Sequence, residues 1–254
     1  MAKFVQRMCE AVKRRWPGKK VIYLPYWNYD TFCPEVNYPD NLVIMSAMTT
    51  YPMPLKAQRG NFEDAIQRVR DFRAQTSFPV TTWDYSVAWT HGPYQYPHVV
   101  RDYYQAVKGL SAGTYINGLH LGEWTNTSPT MYLWMRLLWN PDLDVDAVLD
   151  EMCKRLYGKA GGTAREFIRL QCALWQDGPW KNRRVKNRGA WGVPEHLFPR
   201  VWTPDVVQRL KTLRDRALTE LAGDPLARQR FLYWTWSFDA FVKEAGTLHG
   251  KKPK

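Results

Sequence analysis

Apolar positions along this chain recur with two different periods. In residues 4–16 (FVQRMCEAVKRRW), Phe4, Val5, Met8, Cys9, Val12 and Trp16 share one stripe of a helix that Pro17-Gly18 stops. Four short apolar runs follow, each ending in polar or aromatic residues and a loop: Val21–Tyr29, Asn41–Thr50, Pro79–Trp89 and Gly113–Trp124. Their strand segments are predicted at Val21–Tyr26, Leu42–Ala47, Val80–Tyr85 and Thr114–Leu121. Between them the period lengthens. Asn61 reads as an N-cap with Asp64 three residues on, and Phe62, Ile66, Val69 and Phe72 follow at helical spacing. A second helix over His98–Lys108 buries Val99, Val100, Tyr103, Tyr104 and Val107, and Gly109 ends it.

Strands alternating with helices imply a parallel sheet with right-handed crossovers. A full (β/α)8 barrel needs eight such strands in roughly 250 residues, and here four occupy about 120. The predicted fold class is therefore α/β: a partial, TIM-like barrel of about four parallel strands followed by an α-helical C-terminal domain. Ser128-Pro129 reads as an N-cap and first helical residue, with Met131–Trp139 behind it and Asn140-Pro141 as the break. Asp144 caps the next helix, Gly161-Gly162 opens another, Thr203-Pro204 starts a third, and Asp224-Pro225 starts a last one that includes Trp234, Trp236, Phe238 and Phe241. Residues 176–203 form a long, basic loop containing tryptophan. The expected division is a half-barrel over 1–127, a helical extension over 128–249 and a disordered basic tail over 250–254.

Charge and cysteine content narrow the classes. The 254 residues carry a net charge of +12, which permits anionic partners. The basic residues lie on helical segments, in the tail and in the 181–188 run KNRRVKNR, which reads as a solvated loop or an anion-binding patch, and no nucleic-acid motif accompanies them. None of the four cysteines has CxxC or zinc-knuckle spacing; Cys9, Cys153 and Cys172 fall on apolar helix faces as reduced core residues, and Cys33 lies in a loop. There is no secretory signal and no apolar run long enough to cross a bilayer, so the chain as it stands reads as cytoplasmic.

In parallel α/β folds active sites collect at the C-terminal ends of strands. The ionisable groups predicted there are Asp30 and Glu35 after strand one, Asp84 at the end of strand three, His91 beyond it, and His120 and Glu123 at the end of strand four. Interleaved are Trp27, Tyr29, Tyr51, Trp83, Tyr85, Trp89, Tyr94 and Trp124. Carboxylates among aromatic platforms suit a sugar, whose apolar face stacks and whose hydroxyls need acceptors. Each residue also has a plainer reading. Asp84 can fix its loop through backbone N–H groups, Glu123 can face solvent, His120 can be a satisfied core histidine, and Asp30 and Glu35 can be solvated. No HxH or HExxH spacing supports a metal, and no GxGxxG, P-loop or GxSxG motif supports a nucleotide cofactor or a hydrolase elbow. No cofactor and no metal are expected.

Three stretches carry a family resemblance: FVQRMCEAVKRRWPGKKVIYLPY, TTWDYSVAW, and YLWMRLLWNPDLDVDAVLDEMCKRLYGKAG with its Tyr157-Gly158-Lys159-Ala160 turn. Over about residues 1–175 the chain resembles the bacterial "domain of unknown function 4838" proteins, which accompany glycosidase-like barrels akin to alpha-glucuronidases and hexosaminidases. The resemblance implies the second half of a glycoside-hydrolase-type barrel, in a polysaccharide-processing and often secreted context. It also implies that the acid–base pair of the hexosaminidase-type barrels lies upstream of Met1. Asp84 and Glu123 match end-of-strand positions and are the catalytic candidates; Trp27, Tyr29, Trp83, Tyr85, Trp89, His120 and Trp124 are the sugar-binding candidates.

The expected function is therefore hydrolysis or binding of an oligosaccharide or polysaccharide. The alternative is a non-catalytic carbohydrate-binding or partner-dependent module. An open half-barrel has two free sheet edges and an uncovered inner face, so the partners expected are the sugar and either a second copy of the chain or a missing N-terminal half.

Overall fold

Alternation along the strands creates two unlike faces in the computed structural model, which describes residues 1–26, 33, 35–47, 61–85, 93, 95–117, 121–176 and 201–249. The elements run α1 (Ala2–Arg15), β1 (Val21–Tyr23), β2 (Leu42–Ala47), α2 (Asn61–Gln75), β3 (Val80–Tyr85), α3 (Pro97–Ala106), β4 (Ser111–Asn117) and α4 (Leu121–Trp139). They continue with α5 (Val145–Tyr157), a 3-10 turn (Gly158–Ala160), α6 (Gly161–Gln176), α7 (Pro204–Glu220), α8 (Pro225–Trp234) and α9 (Phe238–His249).

The four strands form one parallel sheet in the order β1-β2-β3-β4. That order never reverses. Right-handed crossovers in one direction place every intervening helix on the same face of the sheet. Burial follows suit. Leu42, Ile44, Ser46, Val80, Thr82 and Asp84 are buried, and Val21, Tyr23 and Ile116 pack against the core beside them. The opposite parity is open: Ile22 is 63% and Tyr115 48% exposed, while Val43, Met45, Thr81 and Trp83 are half-buried. This one-sided layer is the α/β architecture expected of part of a barrel wall.

The sheet is ordered by its register. Val21 pairs with Leu42, Ala47 with Trp83, and Trp83 with Tyr115. Between Val80 and Thr81 the β3–β4 register slips by a residue, with Gly113 at φ 144, a conformation that glycine adopts without a Cβ penalty.

The predicted β2 and β3 match the observed ones, and four elements differ by more than a residue or two. Strand one is three residues long and stops at Tyr23 rather than Tyr26. Strand four is displaced toward the N-terminus, at Ser111–Asn117 instead of Thr114–Leu121. Leu121, Gly122, Glu123 and Trp124 belong to α4, which runs through Ser128 with Pro129 inside it, so Ser128 caps nothing. A proline there removes one N–H but is tolerated in a helix whose neighbours hold it. Residues 127 and 128 both lie inside this helix. The last predicted helix is two, α8 and α9, separated at Thr235–Ser237, where the N–H of Thr235 donates to the Phe231 carbonyl and that of Phe238 to the Thr235 carbonyl.

Beyond the sheet the helices behave as their capping residues dictate. Asp144 Oδ1 accepts from the backbone N–H groups of Asp146 and Ala147, Thr203 from Val206, and Asp224 from Ala227. Their core is aromatic: Tyr157, Phe167, Phe231, Trp234 and Phe238 meet at ring-centroid distances of 5.4–6.3 Å. Cys9, Cys153 and Cys172 are buried free thiols, and burial pushes the latter two up to about 12. The basic 181–188 run and the 250–254 tail lie outside the described residues.

Candidate functional site

The C-terminal ends of β3 and β4 carry two different arrangements on the two faces of the sheet. On the helix side, Asp84 is 2% exposed. Its Oδ2 receives Thr114 Oγ1 at 2.5 Å, Thr82 Oγ1 at 2.9 Å and Tyr104 Oη at 3.0 Å. Thr82 shares Asp84's parity two residues back, Thr114 lies opposite Thr82 on β4, and Tyr104 comes from α3. The Tyr104 hydroxyl itself accepts from Trp134 Nε1 of α4 at 3.0 Å, which leaves its own proton for Asp84. A chain of donors thus runs from α4 through α3 to the end of β3. Asp84 Oδ1 has no partner among the described residues.

Burial and these hydrogen bonds act in opposite directions on Asp84. Loss of water raises its pKa, the three hydroxyls favour the ionised form, and burial wins: the carboxyl is pushed up from 3.8 to about 6. The same burial, reinforced by the Asp84 charge, holds the Tyr104 hydroxyl well above its ordinary value. Asp84 is therefore a carboxyl raised to about 6, held by two strand hydroxyls and one hydroxyl of the helix layer.

On the open face, the neighbouring residue Trp83 meets Tyr115 of β4, with ring centroids 4.3 Å apart and planes at 40°. Tyr115 is solvent-facing, and Trp83 Nε1 is buried without a partner among the described residues. Strand alternation explains why consecutive residues do such different work: Asp84 enters the helix layer and Trp83 the open face.

The remaining candidates divide by position. Tyr85 ends β3 and Glu123 and Trp124 lie in the first turn of α4, but their side chains are outside the described residues. Trp27, Tyr29, Asp30, Tyr51, Trp89, His91, Tyr94 and His120 also lie outside them. Glu35 is exposed. Among the described residues no group of three or more His, Cys, Asp or Glu could hold a metal, and no helix is long and apolar enough to cross a membrane. A cavity of about 380 Å³ between α4, α5 and α8, lined by Ser128, Tyr157, Arg230 and Trp234 among others, takes no residue from a strand.

Sequence reasoning missed Tyr115, Tyr104 and Trp134 as members of this region. Thr82 was legible, since it shares Asp84's parity; the others become neighbours only through register and helix packing.

A one-directional parallel β/α layer followed by a helical region defines the class of protein. Within that class, the model of the family described as domain of unknown function (DUF4838) matches residues 1–169, and the chain belongs to that family. No curated protein and no solved structure matches it.

Proposed function

We propose that this is a carbohydrate-active, glycoside-hydrolase-like domain that engages an oligosaccharide at the C-terminal ends of its strands. One observation carries the reading: Trp83 and Tyr115, adjacent across β3 and β4, set an aromatic pair on the uncovered face beside the strand ends. The apolar face of a sugar ring stacks on such a surface, and Trp and Tyr offer polar edges to its hydroxyls. The resemblance to glycosidase-like barrels expected from the sequence points the same way.

Binding is the form the geometry favours. All the donors to Asp84 come from strand neighbours and the helix layer, so Asp84 acts as a positioning residue that fixes the end of β3 and hence Trp83. In the hydrolytic form, Asp84 and Glu123 are the carboxyl pair, to be held at about 5–9 Å across a glycosidic bond, and the raised pKa of Asp84 suits a general acid.

The test is titration of the intact chain with soluble oligosaccharides of several chemistries, followed by heteronuclear NMR, with Tyr115→Ala alongside. Saturable shifts that Tyr115→Ala abolishes support the reading; no response to any oligosaccharide overturns it. Turnover of an aryl glycoside lost in both Asp84→Asn and Glu123→Gln selects hydrolysis over binding.

A further inference from the structure

We propose that the cavity between α4, α5 and α8 is a binding site for a small organic acid, a carboxylate carried on a flat apolar ring. The site is separate from the strand ends, since no strand lends it a residue. Its volume of about 380 Å³ falls within the roughly 300–1,000 Å³ of ligand pockets, which combine apolar walls with a few placed polar groups. The helical spacing of α8 builds one wall. Gln229 and Tyr233 are four residues apart, as are Arg230 and Trp234, so all four share a flank. Ser128 of α4 and Tyr157 of α5 line the cavity with them.

The aromatic walls select the ring. Tyr157 and Trp234 are each 3% exposed and nearly parallel, with ring centroids 5.7 Å apart and planes at 21°. Aromatic surfaces of this kind take a flat ring by stacking or edge contact. Ser128 and Gln229 are the only uncharged, non-aromatic polar side chains in the described lining, fewer than the hydroxyls of a sugar need. Tyr157 adds a donor. Its hydroxyl has no hydrogen-bond partner among the described residues. Burial, helped by Cys153, holds this phenol protonated well above its ordinary range, and the Arg230 charge acts against that shift. A buried donor without an acceptor costs stability until a ligand supplies one.

Arg230 sets the sign of the ligand. It lines the cavity without a carboxylate partner among the described residues, and no Asp or Glu lines the cavity with it. The C-terminal turns of α5 and α8 meet here, and free carbonyls at such turns oppose an anion. Theirs are occupied. The N–H of Gly158 donates to the Lys154 carbonyl, that of Thr235 to the Phe231 carbonyl and that of Trp236 to the Tyr233 carbonyl. The guanidinium is left as the charge the cavity presents. A carboxylate on Arg230 forms charge-assisted hydrogen bonds, and the Tyr157 hydroxyl is a further donor to the same acid.

The experiment is calorimetric titration of the full chain with benzoate, the simplest acid of this kind. The expected Kd is about 1 mM or tighter. Benzamide, its neutral counterpart, and glucuronate, the same charge on a hydroxylated ring, are each expected to bind about tenfold more weakly or worse. Arg230→Gln, at an exposed position, is expected to weaken benzoate binding by about tenfold to a hundredfold. Tyr157→Phe is expected to weaken it by about fivefold and to leave the urea midpoint of the free chain unchanged, because the hydroxyl has no partner there to lose. Arg228→Gln removes the same charge from an exposed position of α8 outside the cavity and is the control that leaves the affinity unchanged. Absence of saturable benzoate binding, or binding indifferent to both Arg230→Gln and Tyr157→Phe, overturns the proposal. Glucuronate binding more tightly than benzoate overturns it as well and gives the cavity to a sugar acid. Oligosaccharide binding at the strand ends is read separately through Tyr115→Ala, so either idea can fail without the other.

Discussion

The sheet region and the helical region solve the same problem of burying apolar surface in opposite ways. In the helical region α5, α6, α8 and α9 face one another, and Phe231 and Phe241 are fully buried while Trp234 is 3% exposed. In the sheet region one parity of each strand packs into the core, while the other, Ala47 apart, is half-buried or exposed and keeps Ile22 and Tyr115 in solvent. The helical region gains its stability inside the chain. The sheet region holds its strands through a polar ladder, Trp134 to Tyr104 to Asp84, and leaves an aromatic face free.

The sharpest break of that contrast is Phe231→Ala. Phe231 touches Tyr157, Phe167 and Trp234 and is fully buried, so its truncation removes transfer energy and leaves a cavity. The expected loss is about 3–5 kcal/mol, read from the urea midpoint. Tyr115→Ala, on the open face, is expected to change stability by only about 0.5 kcal/mol. Equal losses at the two sites would erase the distinction between the regions.

Next in size is the pH dependence set by Asp84. Its folded pKa, about 6, lies above its ordinary 3.8, so the folded chain holds the proton that the unfolded chain releases. This contribution to stability is full below about pH 4, falls as pH rises toward 6, and is gone above it; for a fully buried group it amounts to roughly 3 kcal/mol. Asp40 and Asp146 are displaced the other way, by hydrogen bonds and charge from Lys13 and from His98 and Arg165, outweighing what burial adds, and their stabilisation is lost only at more acid pH. Asp84→Asn is therefore expected to flatten the stability profile between pH 4 and 6 and leave the more acid limb unchanged. Guanidinium titrations at stepped pH read both. An unchanged slope would remove Asp84 from the helix-side ladder.

How much of this was legible beforehand depended on range. β2 and β3 were read to the residue because their alternation is bounded by loops on both sides, and Asp144, Thr203 and Asp224 announced their helices through capping chemistry. β4 and α4 were misplaced for one shared reason. Thr114–Leu121 alternates like a strand and Ser128-Pro129 has the form of a helix start, yet the bulge at Gly113 draws the strand earlier and Leu121 already begins the helix. The shared stripe of Phe4, Val5, Met8 and Cys9 was right in period and Cys9 is the core thiol expected, yet Phe4 and Met8 are exposed: periodicity shows which residues lie together, not what covers them. Tyr115 was invisible for the same kind of reason. Nothing near it in the chain says that Trp83 stands opposite; the β3–β4 register does.

The third prediction tests the ladder from its middle. Tyr104→Phe keeps the ring packing against Tyr103 and Trp134 and removes only the hydroxyl. Trp134 Nε1 then loses its acceptor and Asp84 loses one of three donors, which costs about 1–3 kcal/mol at a pH where Asp84 is ionised. Because the lost donor favoured the charged form, Asp84 titrates still higher in this variant, and the fall in stability with pH extends to a higher pH than in the parent. Below pH 4, where Asp84 is protonated, the penalty shrinks toward the cost of the unpaired indole alone.

The smallest expected effect separates a merely structural ladder from one that serves the open face. If Asp84 positions Trp83, then Tyr104→Phe loosens the end of β3, and the fluorescence or NMR signature of the Trp83–Tyr115 pair shifts although neither residue was touched. Consecutive residues of a strand share a backbone, so a carboxyl anchored on one face restricts the ring on the other. A smaller loss, about 0.5–1.5 kcal/mol, is expected from Thr82→Val, whose hydroxyl lies 2.9 Å from Asp84 Oδ2 and 2.8 Å from Thr114 Oγ1. A Trp83 signal indifferent to Tyr104→Phe, with stability lowered as expected, would mean that the two faces are built independently and that Asp84 serves the fold alone.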